Sequence, residues 1–199
     1  MDNPSIQNIG LLGGSFDPVH NGHLSIARSF IASGYLSELW ILLTPSSPHK
    51  EEQESADYAI RLNMLSAAFE GQENMLISEV EKNLSPPYYT VHTVKYLTEI
   101  HRDRKFYLCM GEDSLVHFHK WHEWKEMLRH CALLVARRPS FPAKKLPVEI
   151  ENKTRYVIHE PVAISSTGIR HKVHSGEDIT DFVPPAVAGI IRERNLYQK

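Results

Sequence analysis

Apolar and polar residues alternate in blocks, and the block lengths switch between the two periods of regular structure. Ile9 to Leu12 is a short apolar run that ends in Gly13-Gly14. Leu24, Ala27 and Ile31 then recur at helical spacing, and Gly34 follows as a helix stop. Leu39 to Leu43 is continuously apolar, as expected of a strand buried on both faces. Past the polar stretch Thr44 to Glu54, Ser55 can cap a helix with the stripe Tyr58, Leu62, Leu65 and Phe69, and Met75 to Val80 supplies the next strand. Thr90 to Ile100 predicts a helix with Val91, Val94 and Leu97 on one side, and Phe106 to Met110 predicts a strand stopping at Gly111. A helix around Glu123 to Arg129 and a strand Ala132 to Ala136 continue the alternation. This order predicts an α/β fold with a doubly wound parallel sheet.

The tail departs from that rhythm. Ser140 to Lys153 is rich in Pro, Lys and Glu and predicts a surface connection or short helix. Tyr156 to His159 and Val162 to Ile164 are short strand candidates, and Ser165-Ser166-Thr167 resembles a helix start. Pro184-Pro185 opens a last helix through Ile191, so residues from about 165 to 199 form a small C-terminal helical part. A length of 199 residues suits one compact domain over 1–199. The formal net charge of -2, with basic residues scattered, offers no footprint for nucleic acid or a membrane surface. Only two cysteines, Cys109 and Cys131, occur, both in apolar runs, which suits reduced core thiols. No leader pattern and no stretch near the roughly 18 apolar residues of a membrane span is found. These features together predict a cytoplasmic protein.

Two segments carry candidate chemistry. The first strand leads into Gly13-Gly14-Ser15-Phe16-Asp17-Pro18-Val19-His20-Asn21-Gly22-His23, where an open α/β sheet binds ligands. Glycines let the backbone approach an anion, and the following helix offers unpaired amides at its start. His20 and His23, three apart, can turn both imidazoles to one ligand and donate to phosphate oxygens whose charge grows as a leaving group departs. The segment is neither a P-loop nor a dinucleotide fingerprint. The second segment is Ile164-Ser165-Ser166-Thr167-Gly168-Ile169-Arg170. Its hydroxyls and amides at a helix start can hold an anion, with Arg170 forking onto phosphate oxygens, although Ser165 or Ser166 taken alone is an ordinary N-cap.

Together these segments resemble the two signatures of the nucleotidylyltransferase superfamily, G-x-F-x-x-x-H-x-G-H in Gly14, Phe16, His20, Gly22 and His23, and I-S-S-T-x-I-R in 164–170. Further matches spread over the chain are similar to bacterial nicotinate-nucleotide adenylyltransferases: PSSPHK at 45–50, Tyr89-Thr90, GED at 111–113, Lys120-Trp121 and Arg138-Pro139. The resemblance implies a Rossmann-like nucleotidylyltransferase fold and transfer of the adenylyl group of ATP to nicotinate mononucleotide, giving deamido-NAD and pyrophosphate. It implies that His20, His23 and Arg170 act on the ATP phosphates. Gly13, Gly14, Ser15, Phe16, Gly22, Gly111, Asp113, Ser166, Thr167 and Arg138 would line the nucleotide, with Asp113 at the ribose. Lys50, Tyr89, Thr90 and Trp121 would serve the acceptor, with Thr90 and Trp121 around the pyridine ring. From the residues alone, Trp121 is read as facing the ligand, with a core role as the alternative, and Lys50 reads equally as a solvated loop residue. Two departures concern the acceptor side: His92 stands where the family usually has Asp, and Glu112 where it has Ala.

An acceptor phosphate is already anionic near neutral pH, so it can attack the α-phosphorus without a general base, and positioning and charge stabilisation supply the catalysis. Magnesium is expected with ATP, held by substrate and water, with no metal site on the protein itself. The His-rich stretch 117–122 fits no zinc spacing. The expected partners are ATP and nicotinate mononucleotide, with a homo-oligomer left open. Alternatives are nicotinamide mononucleotide or phosphopantetheine as acceptor, and a non-catalytic nucleotide-binding regulator.

Overall fold

A computed structural model of the chain describes residues 7–45, 55–137 and 145–198. Six strands, β1 (Gln7–Gly14), β2 (Glu38–Leu43), β3 (Met75–Ser78), β4 (Arg104–Gly111), β5 (Cys131–Arg137) and β6 (Thr154–Ile158), form one sheet in the order β3-β2-β1-β4-β5-β6. Every neighbouring pair is parallel. The chain winds outward from β1 to one edge, then returns past it through β4 to the other. The reversal leaves a crevice at the carboxyl ends of β1 and β4, where connecting loops diverge.

Both faces of the sheet are covered, which explains why its strands read as apolar runs. Leu39, Ile41 and Leu43 of β2 face a layer made by α1 (Asn21–Ala32), α2 (Tyr58–Phe69), α7 (Ser166–His174) and α8 (Pro185–Glu193). Trp40 and Leu42 face the other layer, made by α3 (Thr90–Ile100), α4 (Glu112–His117), α5 (Trp124–His130) and α6 (Val148–Lys153). Cys109 and Cys131 are buried free thiols, and burial pushes the Cys131 thiol up to about 12 and that of Cys109 higher still. Among the described residues no helix is long and apolar enough to cross a membrane.

The structure corrects several local expectations. Ser55 does not cap α2, whose N-cap is Asp57. The chain before it is gripped at Ala56, whose amide donates to the Asp17 carboxylate and whose carbonyl accepts from Arg61 Nε. The buried face of α2 is Arg61, Met64, Leu65, Ala68 and Phe69, so a charged residue stands where the apolar stripe gave Tyr58 and Leu62. Val80 lies in a 3-10 turn, Val80–Asn83, and not in β3. Val162 to Ile164 is not a strand: pairing with β5 ends at Ile158, and the Ile164 amide instead donates to the Val162 carbonyl in a tight turn. The short helix α4 and the 3-10 turn Phe118–Lys120 follow β4 where no helix was expected.

Candidate active site

Strand β1 runs through Gly13 and Gly14, which pair in register with Leu42 and Leu43, so the turn begins later than the glycines suggest. Phe16 carries the left-handed backbone, with φ of 45°, and its ring is buried. A Cβ on Gly14 would lie 3.0 Å from that ring, which accounts for the glycine. Four residues on, His20 caps α1, and its ring stacks on His23 with centroids 3.7 Å apart. A Cβ on Gly22 would come within 3.0 Å of His20 Nδ1, so the glycine between the histidines makes room for the stack.

The two rings differ electrically. The His20 backbone amide donates to His23 Nδ1 at 3.2 Å, which leaves the proton of a neutral His23 on Nε2. His20 is 6% exposed, and burial lowers its pKa to about 4, so it is a neutral imidazole at physiological pH. Its Nδ1 is buried without a hydrogen-bond partner. The pair can therefore donate hydrogen bonds, and His20 carries no standing positive charge.

The second signature docks directly on the first. Ser166 Oγ donates to the Pro18 carbonyl at 2.9 Å, across 148 positions of sequence, and Arg170 donates to the Asp17 carbonyl at 2.8 Å. The second terminal nitrogen of Arg170 lies 3.5 Å from Thr167 Oγ1. Ser165 is the N-cap, accepting from the Gly168 amide, so Ser166 is released for the contact with Pro18. Residues 13–23 and 165–170 thus form one surface of amides, hydroxyls, imidazoles and a guanidinium, a donor set suited to phosphate oxygens.

Two buried charges behind this surface escaped the sequence reading. Arg61, 4% exposed, donates to four backbone carbonyls: Ser15 at 2.8 Å, Thr44 at 2.9 Å, Pro45 at 2.7 Å and Ala56 at 3.0 Å. It ties the β1 loop to the exit of β2. Asp17, 1% exposed, accepts from the Ala56 amide and from the hydroxyl of Tyr197. The only sequence signal for Arg61 is a cation on the inward face of α2, and for Asp17 its place inside the signature.

The other half of the crevice is aromatic. Gly111 ends β4, and Glu112 and Asp113 begin α4. Asp113 is exposed, whereas Glu112 is buried, its carboxylate 3.8 Å from Arg137 Nε, so the departure at this position turns inward. Tyr89 caps α3 and Thr90 is its first residue. Tyr89 stacks on His122 at 4.2 Å and meets His92 edge-on at 5.8 Å, so His92 joins an aromatic group. Trp121 is half-buried against Phe118, at 5.4 Å, and serves partly as core. One turn into α3, Thr93 Oγ1 donates to Glu81 at 3.0 Å, and burial raises the pKa of that carboxyl. Lys50 and Arg138 lie outside the described residues. Among the described residues no group of three or more His, Cys, Asp or Glu could hold a metal ion.

Comparison with known proteins agrees with this geometry. Residues 11–172 match the model of the cytidylyltransferase-like family. The chain is 34% identical over 191 residues to a Flavobacterium johnsoniae protein named "Probable nicotinate-nucleotide adenylyltransferase", covering 96% of this chain and 99% of the relative. A Clostridium kluyveri protein of the same name is 31% identical over 198 residues, covering 94% and 98%. Among solved structures, Plasmodium falciparum nicotinic acid mononucleotide adenylyltransferase complexed with NaAD superposes with a TM-score of 0.78 at 22% identity, over 96% of this chain and 97% of that one. At that identity the likeness shows the fold.

Proposed function

The chain belongs to the cytidylyltransferase-like family and within it to the nicotinate-nucleotide adenylyltransferases, and on that premise we propose that it transfers the adenylyl group of ATP to nicotinate mononucleotide, releasing deamido-NAD and pyrophosphate. The observation that carries this reading is the docking of Ser166 and Arg170 on the Pro18 and Asp17 carbonyls. It brings the start of α7 against the loop that bears the histidine pair.

In this reading the triphosphate lies between the starts of α1 and α7. Gly13, Gly14, Ser15, Phe16 and Gly22 shape the loop, Ser166 and Thr167 contribute donors, and Arg170 contributes charge. His20 and His23 donate N–H groups to oxygens that gain charge as pyrophosphate leaves. Neutral down to about pH 4, His20 takes part as a hydrogen-bond donor. The acceptor phosphate attacks the α-phosphorus, breaking the bond to the β-phosphate oxygen, and no base is required. Gly111 and Asp113 serve the ribose, and Tyr89, Thr90 and Trp121 receive the pyridine ring, with Lys50 and Arg138 as further contacts. Magnesium comes with ATP as part of the substrate. A donor set of imidazoles, hydroxyls and amides suits phosphate oxygens better than a hard dication. The chain acts as one domain, in the compartment where ATP is made available, the cytoplasm.

Product mass and pyrophosphate release, measured with ATP and magnesium and with nicotinate mononucleotide, nicotinamide mononucleotide or phosphopantetheine in parallel, test the proposal. Deamido-NAD as the preferred product is expected. Preference for another acceptor overturns the acceptor assignment, and no product from any of them overturns the activity.

A further inference from the structure

The last residues described take part in the phosphate loop. After α8 the chain turns back sharply: the Leu196 amide donates to the Ile191 carbonyl, and Leu196 and Tyr197 pack against the core cluster on that face of the sheet. Asn195 and Tyr197 both adopt left-handed backbone, with φ of 51° and 61°. Such conformations cost about 1 kcal/mol or more each for residues other than glycine, so they persist where tertiary contacts hold them. The contact in question is the Tyr197 hydroxyl, which donates to the buried Asp17 carboxylate.

Asp17 has two ends in use. Its side chain receives Tyr197 and the Ala56 amide, and its main-chain carbonyl receives Arg170. Fixing the carboxylate fixes the residue, and so aims the carbonyl that holds the guanidinium. Arg170 and Tyr197 also line one cavity, of about 500 Å³, with Thr167, His171 and His174 of the same helix face. We infer that Tyr197 is a positioning residue for ATP: through Asp17 it sets the direction in which Arg170 meets the phosphates. The inference rests on the reading of Arg170 as a phosphate ligand. Burial first, and then the Asp17 charge, push the Tyr197 phenol above the usual tyrosine range, so it stays a donor.

The test is a double-mutant cycle on ATP affinity, read by calorimetry with magnesium and no acceptor. Tyr197→Phe removes one hydroxyl and keeps the ring. It is expected to weaken ATP about tenfold in the native background and less than twofold in Arg170→Ala, since a residue that acts through Arg170 has nothing left to act on. In steady state the loss falls on ATP, with the KM for the acceptor within about twofold of native, whereas a merely structural tail would move both. Equal losses in the two backgrounds, or no loss from Tyr197→Phe, overturn the inference. If Tyr197→Phe melts early, Asp17→Asn in the same two backgrounds weakens the hydrogen bond from its other end and carries the same criterion. Native protein that binds ATP without turnover counts against the proposed activity and leaves the cycle readable, and native protein that binds no ATP overturns both.

Discussion

The two ends of the crevice are built by opposite means. At the proposed phosphate end, buried or half-buried polar groups are tied together across long sequence separations: Arg61 to four carbonyls, Ser166 to Pro18, and Asp17 to Ala56, Arg170 and Tyr197. At the proposed acceptor end, the side chains of Tyr89, His92 and His122 meet through ring contacts, with His92 and His122 exposed, and α3 is anchored through Thr93 on Glu81. A hydrogen-bonded lattice fixes positions to tenths of an ångström because each donor left unpaired is costly in a dry interior. Stacked rings at a surface tolerate sliding. The difference suits the proposed chemistry, since charge stabilisation needs fixed donors whereas recognition of a flat ring allows change; of the two departures, His92 is exposed in the ring group, while Glu112 is buried beside Arg137.

That contrast can be broken most severely at Arg61. Arg61→Ala leaves the Ser15, Thr44, Pro45 and Ala56 carbonyls short of a donor, and roughly 4 kcal/mol of folding stability is expected to go, read as a lower urea midpoint. His20→Ala and His23→Ala, tested in folded protein, are each expected to lose roughly 2 to 4 kcal/mol of transition-state stabilisation. Native turnover in either would remove the imidazole pair from the mechanism.

Acid sharpens the comparison next. His20 has a pKa of about 4 in the fold and 6.5 in the unfolded chain. Above pH 6.5 both forms are neutral and the fold keeps its full stability. Between 6.5 and 4 the unfolded chain takes up a proton that the folded chain refuses, so stability falls by roughly 2 to 3 kcal/mol over that window. Melting curves of the native protein and His20→Asn should converge as pH falls through it, and parallel curves would assign the acid loss elsewhere. The smallest effect belongs to the acceptor end. His122→Ala removes one stacking partner of Tyr89 and should raise the acceptor KM by about 0.5 to 1 kcal/mol in free-energy terms, with ATP KM unmoved.

The sequence made the periodic parts legible. Helix α3 falls at Thr90–Ile100 as expected, because Val91, Val94 and Leu97 are buried together and nothing competes with the stripe. The burial of Leu39 to Leu43 on both faces likewise follows from the apolar run. What escaped depends on partners far away in the chain. Ser55 lost the cap because Asp17 and Arg61 grip Ala56, and Arg61 is buried because its carbonyl partners lie up to 46 positions distant. The left-handed residue of the loop after β1 is Phe16 and not either glycine, since Gly13 and Gly14 remain in the sheet. That both signatures converge on one ligand followed from the resemblance; the contacts that join them, Ser166 on Pro18 and Arg170 on Asp17, did not, as spacing along a chain carries no record of contacts across it.

The hydrogen bond between Tyr197 and Asp17 also orders events in time. It joins residues 180 positions apart. A ribosome adding about 5 to 20 residues per second makes Tyr197 roughly 10 to 40 s after Asp17. Throughout that interval the Asp17 carboxylate lacks the Tyr197 hydroxyl as a donor. The loop after β1 therefore reaches its full set of hydrogen bonds only when residues on both sides of that 180-position separation have been made.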